Sequence, residues 1–150
     1  MLLFLSVKLC SFAQPSTDER LAKQFYQNKE YDKALTYYEN LFNKKSGQSF
    51  YTLYLNCLLE TKDFKKAEKV VKKLIKQNQE NLNFMVDLGT VYLKADDPDK
   101  AKNAWEQAIK AIKIDDQVFN TATAFIGIHQ YDLAISTYLK GRKISANDYP

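Results

Sequence analysis

The chain of 150 residues has only 4 glycines, 3 prolines, 2 cysteines and 1 histidine. So few breakers point to long helices rather than a loop-rich fold. Cys10 and Cys57 form no Cys-x-x-Cys pair and His129 has no second ligand near it in sequence, so a zinc site is unsupported. No nucleophile motif, phosphate-cradling glycine loop or metal-ligand cluster occurs, which argues against an enzyme and leaves no catalytic, cofactor or metal residues to expect. The acidic pairs Asp96-Asp97 and Asp115-Asp116 are expected just before helices, where they complement the N-terminal dipole. Beyond the first residues, no stretch is long and apolar enough to span a bilayer. A large excess of one charge is also missing: 22 basic and 18 acidic residues give a net charge of +4. A nucleic-acid partner is therefore not expected.

What is abundant is aromatic and apolar. There are 10 Tyr and 9 Phe, and hydrophobic residues make up 45% of the chain, which excludes disorder and suits helices with ring-filled faces. Cys57 falls in an apolar run with Leu53, Leu55, Leu58 and Leu59, where a buried thiol acts as a small hydrophobe. The one basic cluster runs from Lys62 to Lys76, with seven lysines against Asp63 and Glu68. It reads as a solvated helix face, with a docking patch for an acidic partner as the alternative.

At the N-terminus, Met1-Leu-Leu-Phe-Leu-Ser-Val is a short apolar run, and Ser11 and Ala13 place small residues before a cut that would leave Gln14 first. Residues 1–13 are expected to be a signal peptide, with export to a bacterial periplasm or envelope. The run has no basic region beyond its amine and is interrupted by Lys8. A start further upstream, or a cytoplasmic protein with an N-terminal helix, are the competing readings. Export with cleavage would leave only Cys57, so stability would rest on packing alone.

Internal repetition carries the fold. Asn28–Ala34, Thr61–Ala67, Ala95–Ala101 and Ile128–Ala134 align without gaps, and their alanines recur at intervals of 33, 34 and 33 residues. Amphipathic stretches of helical period flank each segment. Small residues recur twelve positions before the alanines at Ala22, Gly89 and Ala122, with Leu55 the departure. Large apolar residues follow at Phe25, Leu58, Tyr92 and Phe125, and again at Tyr38, Val71, Trp105 and Tyr138. Small residues let two helices cross closely, and large ones fill the space beside the crossing.

In these positions the chain resembles the tetratricopeptide repeat family over residues 15 to 148. The resemblance implies an all-α fold, a right-handed superhelical stack of antiparallel helical hairpins in four repeats of about 15–47, 48–81, 82–114 and 115–148, within a domain of residues 14–150. It implies a non-catalytic scaffold that binds a protein or peptide along a concave groove lined by the first helix of each hairpin. Carried over by position, the groove residues are Tyr26, Thr52, Asn56, Leu59, Val86, Thr90, Leu93, Phe119, Thr123 and Ile126, with Asn83 beside them; packing of hairpin on hairpin is the alternative for Leu59, Leu93 and Ile126, which share one repeat position. Asn56 also matches one place of the clamp with which some members grip a terminal carboxylate. Leu53 and Asp87 occupy others, so that clamp is not assembled.

Pro98 is expected at the start of a helix, where its missing N–H costs nothing. Gly141 is expected to admit close packing by whatever follows. No polar capping helix is seen after the fourth repeat. The alternative function is thus a structural N-terminal segment of a larger exported protein, continued or self-associated through that last repeat.

Overall fold

A computed structural model of the chain describes residues 16–44 and 47–147, with side chains up to residue 144. The expected signal segment 1–13 lies outside the described residues. The chain divides into two compact units, Met1–Cys57 and Leu58–Pro150.

The first unit contains α1 (Thr17–Gln27), α2 (Tyr31–Phe42), a short 3-10 turn (Gly47–Phe50) and most of α3 (Tyr51–Glu60). Ser16 starts α1 because its hydroxyl accepts the Glu19 amide at 3.2 Å, satisfying one of the orphan donors of the first turn. α1 packs against α2 with Ala22 and Ala34 fully buried. Rings fill the rest. Phe25 stacks on Tyr37 at 5.7 Å, Tyr38 meets Tyr26 edge-on at 6.0 Å, and Phe42 stacks on Tyr54 at 5.1 Å. Burial pushes the Tyr38 phenol up from its ordinary pKa.

The second unit holds the end of α3 and then α4 (Phe64–Gln77), α5 (Asn83–Lys94), α6 (Pro98–Ala111), α7 (Asp115–Gly127) and α8 (Tyr131–Asn147). α5 pairs with α6 and α7 with α8, each pair joined by a three-residue turn. α4 lies on α5, joining one hairpin to the next, while α5 lies on α7 and α6 on α8, so in the last two hairpins first helix stacks on first and second on second. The fold is all-α and built of helical hairpins, as the repeats require.

Each hairpin turns the same corner. Lys29, Lys62, Asp96 and His129 have φ of 61°, 59°, 62° and 61°, and they recur at the repeat interval. None is glycine, the residue that usually takes this left-handed position. The next amide (Glu30, Asp63, Asp97, Gln130) donates to the carbonyl five residues back at 2.9 Å in all four turns. The left-handed residue's own amide donates three residues back at 3.0–3.2 Å. This double bond pattern ends a helix with its last carbonyls satisfied. Asp63 and Asp97 then open α4 and α6 by accepting the Lys66 and Lys100 amides at 3.2 and 3.1 Å. Pro98 sits at the first position of α6, as expected.

Large and small residues interlock. An added Cβ on Gly89 would lie 2.1 Å from Trp105 Nε1, so the indole occupies the place of the missing side chain. The Trp105 N–H donates to the Val86 carbonyl at 3.0 Å in the buried interior. Trp105 also meets Phe125 edge-on at 6.5 Å, which ties one hairpin to the next. Ala101, Ala122 and Ala134 lie buried in the same cluster. The expectation for Gly141 is corrected: its absent Cβ would meet Val118 Cγ1 at 2.8 Å, so the glycine admits the partner helix α7 of its own hairpin. Tyr138 is 42% exposed, unlike its buried counterparts Tyr38, Val71 and Trp105. Among the described residues, no first helix follows to cover it.

Candidate peptide-binding face

The expected groove residues fall into both units, and they differ in availability. In the first unit, Asn56 Nδ2 donates to the Tyr26 hydroxyl at 3.3 Å, which brings two expected residues together. Both are half-buried, and Tyr26 is also fixed edge-on against Tyr31 at 5.5 Å. Thr52 is exposed one turn before Asn56 on α3.

In the second unit, two expected positions are buried. Val86 is 1% exposed and belongs to the core cluster around Trp105, with its carbonyl already bonded to the indole. Leu59 is also buried. The Val86 side chain packs within the unit and presents nothing to a ligand. Thr90 is half-buried, and its hydroxyl donates to the Val86 carbonyl at 3.2 Å. This back-bond leaves its oxygen lone pairs as the group able to meet a donor.

Three large apolar residues of the expected groove are open. Leu93 on α5 is 45% exposed, and Phe119 and Ile126 on α7 are 65% and 43% exposed. Phe119, Thr123 and Ile126 stand four and then three residues apart, which places them on one stripe of α7. α5 packs directly against α7, so Thr90 and Leu93 belong to the neighbouring helix of the same stack. Scattered exposed apolar residues are ordinary, but a spaced row of them signals a contact surface.

At the N-terminal ends of α5 and α7 lies a polar cleft of about 420 Å³, lined by Asn83, Gln117, Asn120 and Thr121 among others. Gln117 Nε2 donates to the Glu80 carbonyl at 3.2 Å. Asn83 Oδ1 and Thr121 Oγ1 are buried with no hydrogen-bond partner among the described residues. Asn83 was expected on this side. Gln117, Asn120 and Thr121 were not, because the family pattern assigns no ligand role to their positions. Asp115 and Asp116 sit in the first turn of α7, where they complement its dipole, and the N-cap position itself is held by Ile114.

On another side of the unit, Lys72 Nζ donates to Glu68 at 2.6 Å, and the Tyr92 hydroxyl donates to the same oxygen at 3.0 Å. The Lys72 hydrogen bond holds the Glu68 carboxyl below its ordinary range, and burial pushes back the other way. Lys72 and Lys100 both lie over the Tyr92 ring, at 5.9 and 5.7 Å from its centre. Glu68 and Lys72 lie on α4 and Tyr92 on α5, so this polar lock fastens one repeat to the next.

Among the described residues, no group of three or more His, Cys, Asp or Glu could hold a metal ion, and no helix is long and apolar enough to cross a membrane. A family model described as the tetratricopeptide repeat matches residues 58–118, from the end of α3 through α4, α5 and α6 into α7. No curated protein matches the chain. That match, the four aligned hairpin corners and the stacked helix pairs of the second unit support a protein of the tetratricopeptide-repeat type.

Proposed function

We propose that the chain is a non-catalytic scaffold that binds a protein or peptide across the first-helix face of its second unit. Repeats of this type generally mediate protein–protein interaction. The observation that carries the reading is the open row of Phe119 and Ile126 on α7 beside Leu93 on α5, with the hydroxyls of Thr90 and Thr123 between them. Such a surface takes hydrophobic side chains as anchors and orients the main chain by polar contacts. In the first unit, Tyr26, Thr52 and Asn56 form a second, more polar contact set.

Paired Phe119→Ser and Ile126→Ser changes test the reading. Both residues are exposed, so the variant should melt close to the wild type. Capture of a partner from envelope extract should fall about tenfold or more, because central apolar anchors dominate interface energy. Unchanged capture of that same partner by the double variant sinks the proposal.

A second reading is favoured by α8. Tyr131, Ile135, Tyr138 and Leu139 are all exposed, and they form one apolar stripe. In this reading the chain is the N-terminal segment of a larger protein, or self-associates, and a further helix covers the stripe. Export to a bacterial periplasm or envelope is proposed on residues 1–13 alone. A mature protein beginning at Gln14 by mass spectrometry supports it, and a cytoplasmic chain retaining Met1 overturns it.

A further inference from the structure

The positive charge of this chain is held almost entirely by one helix. Residues 62–77 carry seven lysines with Asp63 and Glu68, a net of +5, whereas the rest of the chain nets −1 (15 basic against 16 acidic residues). On α4, Lys65, Lys69, Lys72 and Lys76 follow at helical spacing along one stripe, while Ala67, Val71 and Leu74 are buried on the other side. The stripe borders a cleft of about 560 Å³ that also takes in Lys73. Among the described residues, Lys65, Lys69, Lys73 and Lys76 form no ion pair.

This row stands beside an apolar slot. Ile75 of α4, Met85 and Leu88 of α5 and Ala104 of α6 line a cavity of about 270 Å³, with Lys72 and Lys76 at its edge. An adjoining cleft of about 390 Å³ shares Lys72, Leu88 and Ala104 and continues to Tyr92 and Lys100. Basic rim and apolar floor are therefore one continuous surface. It uses a side of α5 distinct from that of Thr90 and Leu93.

We propose that this surface docks an acidic peptide segment of a partner protein that carries a bulky apolar residue. The apolar side chain enters the slot between α4, α5 and α6, and carboxylates flanking it pair with Lys73 and Lys76. Lys65 to Lys76 spans about 16 Å along the helix, enough for about five residues of extended chain. A nucleic acid fits less well. The cluster has lysines and no arginine, and the Tyr92 ring is engaged by two ammonium groups instead of being free to stack a base. A lipid surface also fits less well, because α4 exposes no large apolar side chain to insert.

Random 12-residue peptides displayed against the whole wild-type chain test this directly. Enriched peptides should combine an acidic excess with a bulky apolar residue. A fluorescein-labelled example should weaken about tenfold for a chain with Lys73→Gln and Lys76→Gln, and weaken further as salt rises. Both lysines are exposed, so the variant keeps its fold. Replacing the apolar residue of the peptide by serine should cost a similar factor, a change that cannot disturb the protein. The Phe119→Ser, Ile126→Ser chain should bind this peptide normally, which separates this surface from the first-helix face. Enrichment of neutral or basic peptides, or acidic peptides that ignore Lys73→Gln with Lys76→Gln, overturns the proposal. So does a 20-nucleotide oligothymidine, or a phosphatidylserine vesicle, that binds more tightly than the peptide and loses binding in that same variant.

Discussion

Gly89 and Trp105 share one volume, and each explains the other. The glycine is small because the indole fills its side-chain position, and the indole is held there by its N–H bond to the Val86 carbonyl. Gly89→Ala forces the two apart. It should destabilise the chain by about 1–3 kcal/mol, as overpacking does. Trp105 is the only tryptophan, so its emission reports the displacement without a label. In a Trp105→Leu background, the cost of Gly89→Ala should shrink in thermal melts, since the clash is gone. An equal cost in both backgrounds would mean that the alanine acts elsewhere. Val86 shows the same logic from the other side. At its place in the repeat pattern it reads as a groove residue, and only the neighbour that packs over it reveals a core residue.

At the scale of the element, the hairpin corner is the most regular feature of the chain. Its left-handed residue is lysine, lysine, aspartate and histidine in turn, where glycine would be relaxed. Lys29→Gly should therefore stabilise the chain by up to about 1 kcal/mol, the relieved strain exceeding the added freedom of the unfolded chain. A lower melting temperature for Lys29→Gly would show that the lysine side chain does more than tolerate the angle.

The helices themselves were legible because their evidence is local. Alanines at a fixed interval, helical spacing of apolar residues and Pro98 at a helix start all report on residues near them in sequence. The left-handed corners were not, since no glycine marks them. Nor were the burial of Val86, the contact of Gly141 with Val118, or the polar cleft at Gln117 and Asn120. These depend on which surface a neighbouring helix brings across, and a single helix pattern does not contain that. Of the expected site, Leu93, Phe119, Thr123 and Ile126 stand open, Tyr26 and Asn56 bond to each other, and Val86 turns inward.

Among the described residues, the second unit presents three unlike surfaces: the apolar row on α7, the lysine stripe of α4 and the exposed flank of α8. At Ile135 and Leu139 the flank departs from the second and third repeats, where the matching positions hold Glu68 with Lys72 and Lys102 with Glu106, both ion-paired. An apolar stripe in place of charges favours association. The apparent mass in sedimentation equilibrium should rise with concentration, and Ile135→Glu with Leu139→Glu should hold it at the monomer value of 17.4 kDa. A wild-type chain that stays monomeric at high concentration leaves the flank to a partner of another kind.

The four corners also provide a ruler. Lys29, Lys62, Asp96 and His129 are exposed, and their main-chain bonds are completed locally, so a probe attached at any of them should leave the packing intact. Spin labels or dyes placed on Lys62, Asp96 and His129 would report the distances between successive hairpins of the second unit in solution. Bound ligand could then be watched as a change in those distances.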